Sequence, residues 1–326
     1  MSNTATVLAF DFGASSGRAI RAVYDGQNLT YEEIHRFENV PIEKDGHLCW
    51  DVETLLKEIH TAIQKAGTFD SLGFDTWGVD FGLLDTDGHL LANPVHYRDA
   101  RTNGKPEQAA ARMPAEELYA HTGNQIMAIN TLFQLLALRE QDPELLQKAE
   151  QILFMPDLFA ALLGAEPVCE RSIASTSQML DPRTGQWSRE VLAAYGLNAN
   201  RFAPIVASGT VTGTLANGAK IIAVAGHDTQ CASAAMPCAE EDAEHTAFLS
   251  CGTWSLLGTE LDAPILTADS CQSGLSNELG ANGKINYLKN IIGLWLIQES
   301  RREYKRRGQA YSFAELEQQA LAAEPL

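Results

Sequence analysis

Short apolar runs separated by small polar residues recur along the chain. Residues 5–10 are apolar, residues 11–18 (DFGASSGR) form a small-residue turn, and residues 19–23 are apolar again. This pattern predicts a β-hairpin whose turn can point backbone N–H groups outward at an anion. Residues 247–249, the turn 250–255 (SCGTWS) and residues 256–257 repeat it. Two such hairpins suggest a duplicated domain. Between them the pattern alternates. Residues 51–65 carry Val52, Leu55, Ile59 and Ile63 at helical spacing, whereas 71–75 and 82–85 read as short strands, the second entering the turn 85–88 (DTDG). Residues 132–140 and 143–149 predict helices divided at Asp142-Pro143, and 156–163 a further apolar helix. Residues 181–187 are turn-rich, and 209–218 read as a loop or hairpin before the strand 221–225, which delivers Gly226-His227-Asp228-Thr229. The acidic stretch 240–244 marks a boundary, dividing the chain into domains 1–244 and 245–326. The second begins with a strand over 249–258, then has helices over 293–306, with Leu294, Ile297, Gln298 and Arg301 along one side, and over 313–323.

Composition narrows the function classes. The 326 residues are 45% hydrophobic and carry a formal charge of −18, which repels nucleic-acid phosphates and anionic membrane surfaces. Neither nucleic acid nor membrane is an expected partner. No apolar run approaches the ~20 residues of a membrane span, and no basic segment precedes the apolar start, so a cytoplasmic location is expected. The six cysteines form neither C-x-x-C nor a Cys/His ladder, which predicts reduced, buried thiols and no structural zinc.

Four segments can carry chemistry. Asp11 ends an apolar strand before the Gly/Ser turn, where a carboxylate can hold a metal-bound water while amides face phosphate oxygens; an N-cap-like turn residue is the alternative. There is no G-x-x-x-x-G-K-[ST] and no G-x-G-x-x-G, so a P-loop and a dinucleotide fingerprint are excluded. Residues 75–81 (DTWGVDF) put two carboxylates and a Trp at a strand end, which suits a polyol, although a buried Trp with solvated carboxylates fits equally. Residues 97–102 (YRDART) read as a solvated charged face. Asp228 follows an apolar strand, where open α/β sheets put reactive groups, and is a candidate general base for an alcohol nucleophile. His227 reads as a hydrogen-bonded packing residue and Cys251 as structural, with no nearby cation to lower its pKa.

Taken in order, DFGASSGR, DTWGVDFGLLD, HYRDARTN, a central MPD, GHDT, LSCGTWSL and the segment LKNIIGLWLIQE, read as a helix, resemble the FGGY family of carbohydrate kinases over residues 6–307. The resemblance implies an α/β fold of the actin, Hsp70 and hexokinase (ribonuclease H-like) type, with duplicated βββαβα domains closing over a cleft. By the same resemblance, Asp11 stands near Mg²⁺ and the phosphates, and Ala14, Ser15, Ser16, Gly17 and Arg18 form a first phosphate loop. Thr253 belongs to a second phosphate loop and Gln298 is a nucleotide contact. Gly78, His227, Asp228, Thr229 and Asn290 contact the sugar, with Asp228 taking the proton of its C1 hydroxyl. The implied reaction moves the γ-phosphate of ATP to a ketose with Mg²⁺ present. L-rhamnulose is the implied sugar, and L-fuculose and L-xylulose are alternatives. Family members continue past residue 326 with a glycine-rich adenosine motif that residues 299–326 lack. An incomplete second domain, exposed apolar surface on it, a homodimer and a sugar-binding protein without catalysis are therefore further expectations.

Overall fold

The computed structural model describes residues 4–239, 242, 245–252 and 254–324. Its first lobe is built on a six-stranded sheet in the order Thr210–Thr214, Lys220–Ala223, Ser71–Thr76, Ala5–Phe12, Ser16–Tyr24, Leu29–Glu38. The first hairpin forms as the sequence predicts, but with a shorter turn. Asp11 pairs with Arg18 and Phe12 with Gly17, so only residues 13–15 remain outside the two strands. Three strands of this sheet run parallel, Ala5–Phe12, Ser71–Thr76 and Lys220–Ala223. Their carboxyl ends therefore converge, with Asp11 opposite Asp75 and Thr76 N donating to Gly226 O at 2.9 Å.

Apolar alternation on the strands explains the core. Phe10 and Phe12 point to one face with Phe74, and Phe159 from the helix Met155–Leu162 closes over them, at 4.8 Å from Phe12. On the opposite edge, the helix Val52–Ala66 buries Val52, Leu55, Ile59 and Ala62 against the sheet. Asp51 starts this helix by accepting from Thr54 N at 3.2 Å. The predicted helices at 132–140, 143–149 and 156–163 are observed as Thr131–Gln141, Pro143–Lys148 and Met155–Leu162. The 209–218 segment forms the hairpin that the sequence allows, its strand Thr210–Thr214 pairing with Lys220–Ala223, and 181–187 is a two-residue ladder joined by a turn.

The second lobe is a four-stranded antiparallel sheet, ordered Phe248–Cys251, Trp254–Leu261, Ile285–Ile292, Ser276–Leu279. The βββα pattern of the first lobe returns here, a hairpin, a third antiparallel strand and then the helix Trp295–Arg306, with Ser276–Leu279 added at the edge. One expectation is corrected. Residues 288–292 of LKNIIGLWLIQE are strand rather than helix, because their apolar run pairs along Trp254–Leu261, and the helix begins only at Trp295. The lobe's core is small, Phe248, Leu256 and Leu288, and Leu249, Leu257, Ile292 and Leu296 are exposed. All six cysteines are free. Cys49 and Cys169 are buried, but Cys238 and Cys251 are exposed, so burial does not extend to every thiol as expected. Among the described residues no helix is long and apolar enough to cross a membrane.

Candidate active site

The converging strand ends of the first lobe and the hairpin of the second enclose one cavity of about 360 Å³. Gly13 and Ala14 from the first turn and Ser250 and Gly252 from the second all line it. The two hairpins that the sequence singles out thus face one space. In the first turn, Gly13 O accepts from Asn39 Nδ2 at 2.9 Å and Ser15 O from Asn39 N at 3.1 Å. Because a trans peptide points its carbonyl and the following N–H in opposite directions, Ala14 N–H and Ser16 N–H are turned away from Asn39. Such outward amides suit phosphate oxygens. Asn39, buried and 26 residues distant from Gly13, holds this turn, a contact that sequence reasoning missed.

Asp11 lines the cavity and accepts from Arg18 Nε at 2.8 Å. Ser15, Ser16, Gly17 and Arg18 stand beside the cavity without lining it. Gly17 also has a packing reason, since a Cβ there would lie 2.3 Å from the Phe37 ring. The second turn rests on the start of the following helix: Leu294 N donates to Gly252 O at 2.9 Å, and a Cβ on Gly293 would meet that carbonyl at 2.7 Å. Thr253 lies outside the described residues. Gln298 is half-buried on the helix Trp295–Arg306 and does not reach the cavity.

Gly78, His227, Asp228, Thr229 and Asn290 all line the cavity. Asn290 comes from the second lobe and donates to Gln125 Oε1 of the first at 3.3 Å. Asp228 opens the helix Asp228–Ala234, and its Oδ1 accepts from Thr229 N at 2.6 Å and Thr229 Oγ1 at 3.2 Å. His227 Nε2 approaches the same oxygen at 3.5 Å. Among the described residues no hydrogen bond is made to Oδ2. Burial at the cavity floor raises the Asp228 pKa above the ordinary carboxylate value, and the His227 charge opposes that rise. The side chain is still 41% exposed, so a ligand in the cavity can reach it. Asp75 is pushed well up by burial, with Asp11 and Asp228 adding to the effect, which favours its protonated, hydrogen-bond-donating form.

Sequence reasoning erred at Asp80. This carboxylate is buried behind the cavity wall. It accepts from Trp50 Nε1 at 2.7 Å, Trp77 Nε1 at 3.0 Å, Tyr97 N at 3.1 Å and Gln134 Nε2 at 2.8 Å. Burial raises its pKa to about 6 against those four donors. Asp80 therefore holds two indoles and is neither a sugar ligand nor a solvated turn residue. Trp77 presents itself to the cavity from this clamp. Beside it, Val79 is held at φ 67°, a costly angle for a β-branched residue, by Thr131 Oγ1 on its carbonyl at 2.6 Å and Thr176 Oγ1 on its amide at 3.1 Å.

The YRDART segment is not a solvated face either. Tyr97 lines the cavity, and Asp99 accepts from Leu48 N and Arg101 N, both at 2.9 Å. Arg101 is desolvated against Asp80 and Asp99 and donates to Gln134 at 2.8 Å. Of the segment's charged residues only Arg98 is exposed, and it spans the lobes, 5.8 Å from the Trp254 ring centre and 5.3 Å from that of Trp295.

Two buried glutamates were also missed. Glu170 Oε2 accepts from Ser172 N at 2.8 Å and Gly226 N at 3.0 Å, which fixes the loop carrying His227 and Asp228. Glu278, on the edge strand of the second lobe, accepts from His227 Nδ1 at 2.9 Å and Gln230 Nε2 at 2.8 Å. Burial is the largest single influence and would lower the His227 pKa, but the carboxylates of Glu278, Asp228 and Asp75 together outweigh it and raise it to about 9.

Two sheets facing a shared cavity, with outward turn amides at one end and a carboxylate beside a Trp wall at the other, define a two-lobed α/β protein with a polar cleft between its lobes. The chain belongs to the FGGY family of carbohydrate kinases: residues 6–234 match the family's N-terminal domain and residues 247–326 its C-terminal domain. It is 41% identical over 307 residues to a rhamnulokinase of Bacteroides thetaiotaomicron, covering 90% of this chain and 63% of that protein. It is 40% identical over 321 residues to a rhamnulokinase of Halalkalibacterium halodurans, covering 95% of this chain and 67% of that one. The chain thus spans about two thirds of the length of these relatives. Among solved structures, a ligand-bound xylulose kinase of Lactobacillus acidophilus superposes with a TM-score of 0.76 at 16% identity, over 91% of this chain and 62% of that one, which shows the shared actin- and hexokinase-like fold.

Proposed function

We propose that the chain carries the sugar site and proton acceptor of an ATP-dependent ketose kinase that phosphorylates the C1 hydroxyl of L-rhamnulose. The observation that carries the reading is Asp228. Its Oδ1 is held by Thr229 and His227, no described residue bonds its Oδ2, and it stands in a cavity walled by Trp77 and Tyr97. A carboxylate so placed takes the hydroxyl proton as the phosphoryl group moves, while Trp77 and Tyr97 pack on the apolar side of the sugar and Asn290 holds hydroxyls from the second lobe. The outward amides of the first turn support a phosphate site at the opposite end.

The residues present also fit Mg²⁺. Asp11 offers a hard carboxylate oxygen at the turn that would face the phosphates, and when bound the ion offsets their negative charge. The rhamnulokinase relatives favour L-rhamnulose over L-fuculose and L-xylulose. We divide the chain at residues 244 and 245, giving the sugar and first turn to one lobe and the second turn to the other.

The test is ADP release with Mg-ATP and each of the three sugars, run beside calorimetric titration of each sugar. Turnover preferring L-rhamnulose supports the proposal in full. Sugar binding without ADP release makes the chain a sugar-binding protein and contradicts catalysis.

A further inference from the structure

The first lobe supplies Asp228, yet its neighbouring imidazole is gripped from the second lobe. His227 Nδ1 lies 2.9 Å from Glu278 Oε2, and the opposite ring nitrogen faces Asp228 at 3.5 Å. Both side chains of the Glu278–His227 pair are nearly sequestered, at 6% and 11% exposure. Glu278 is itself held. Gln230 donates to it at 2.8 Å and in turn accepts from Asn286, on the neighbouring strand of the second lobe. That strand edge is docked firmly on the first lobe, with Leu279 N on Ser175 Oγ at 3.0 Å and Asn277 N on Gly123 O at 2.8 Å.

We infer that Glu278 is a positioning residue for the proposed base: it fixes the His227 ring so that Nε2 faces Asp228 Oδ1, and it ties the base's orientation to docking of the second lobe. This inference rests on the reading of Asp228 as proton acceptor. The charged groups facing His227 are Glu278 from the second lobe, and Asp228 and Asp75 from the first; Asp11 acts on Asp228 from the strand Ala5–Phe12. In this setting the Glu278–His227 pair is neutral as a whole but turns its positive end toward Asp228. Its near charge helps keep the base ionised, in line with the raised His227 pKa of about 9. With Glu278 neutral, the ring is free to lose its proton or to turn, and Asp228 loses both its charge partner and a contact that orients Oδ1.

The experiment uses the full chain with Glu278→Gln and Glu278→Asp. Imidazole resonances of His227, assigned by comparison with a His227 substitution, are followed against pH by NMR, and kcat and KM for sugar are measured in parallel. The expected parent midpoint is about 9. In Glu278→Gln it falls to the ordinary value near 6.5 or below. At neutral pH kcat drops by about 10²-fold with KM little changed, as a misplaced catalytic group does, and the acid limb of kcat moves to higher pH. Glu278→Asp keeps the charge and recovers part of both effects; it also carries the test if the Gln variant does not fold. An unmoved His227 midpoint, or an unchanged kcat, overturns the inference. A parent that binds sugar but releases no ADP contradicts the kinase reading instead, and the ring titration then decides by itself whether Glu278 holds His227.

Discussion

Replacing Asp80 tests how the cavity wall is built. Four buried donors converge on this carboxylate, three of them on Oδ2 from Trp50, Trp77 and Tyr97, and one on Oδ1 from Gln134. Asp80→Ala leaves all four without an acceptor. At about 2 kcal/mol each, the loss is about 8 kcal/mol. Removing the buried charge recovers part of it: a carboxyl raised from 3.8 to about 6 corresponds to about 3 kcal/mol. The net destabilisation is about 5 kcal/mol, or on the order of 10–20 °C in Tm. Asp80→Asn differs sharply. Its amide oxygen can still accept from the three donors at Oδ2, and only Gln134 faces an amide NH₂ instead of an acceptor. One lost hydrogen bond of about 1–3 kcal/mol then roughly cancels the relieved charge, leaving the Asn variant within about 2 kcal/mol of the parent. Denaturant unfolding followed by tryptophan emission measures both, since two of the donors are indoles. The pH dependence has a fixed sign. A folded pKa above the unfolded value means the folded state holds the extra proton, so this group's contribution to stability falls as pH rises from 3.8 to about 6. The difference between parent and Asn curves isolates that fall. An Ala variant as stable as the Asn variant would refute the reasoning, because the four donors would then not depend on Asp80.

Other outcomes follow from the same geometry. Stability should decline by about 3 kcal/mol as pH rises from 6.5 through about 9, because the folded His227 holds its proton above the unfolded value, and Glu278→Gln should flatten that decline in pH-dependent denaturation. Gly17→Ala drives a Cβ into the Phe37 ring and should cost about 1–3 kcal/mol, much of it regained with Phe37→Leu; a neutral Gly17→Ala variant would count against this packing. Arg98→Ala removes two inter-lobe ring contacts at about 0.5–1 kcal/mol each, so limited proteolysis should detect a looser second lobe, with the cavity wall of the first intact.

What the chain disclosed in advance was local. The first hairpin, the helix capped by Asp51 and the delivery of Asp228 by an apolar strand each depend on residues within a few positions, and periodicity and turn chemistry suffice for them. The site's support was not legible because it is assembled across distance. Glu278 is 51 residues from His227, and three of the four donors to Asp80, from Trp50, Tyr97 and Gln134, come from segments outside its own motif. A carboxylate in a motif next to Trp reads as a ligand until those donors are known. The misread segment 288–292 has a physical reason too. A short apolar run fits a strand or a buried helix equally, and its pairing along Trp254–Leu261 decided the matter.

The most direct test of the central claim is Asp228→Asn, with sugar affinity by calorimetry and ADP release measured on the same preparation. The amide oxygen preserves the contacts from Thr229, so the site keeps its shape. The account predicts sugar affinity within about threefold of the parent and turnover reduced by about 10²–10⁴-fold, the usual worth of a general base. Equal loss of affinity and turnover would contradict it, because Asp228 would then hold the sugar and not take its proton.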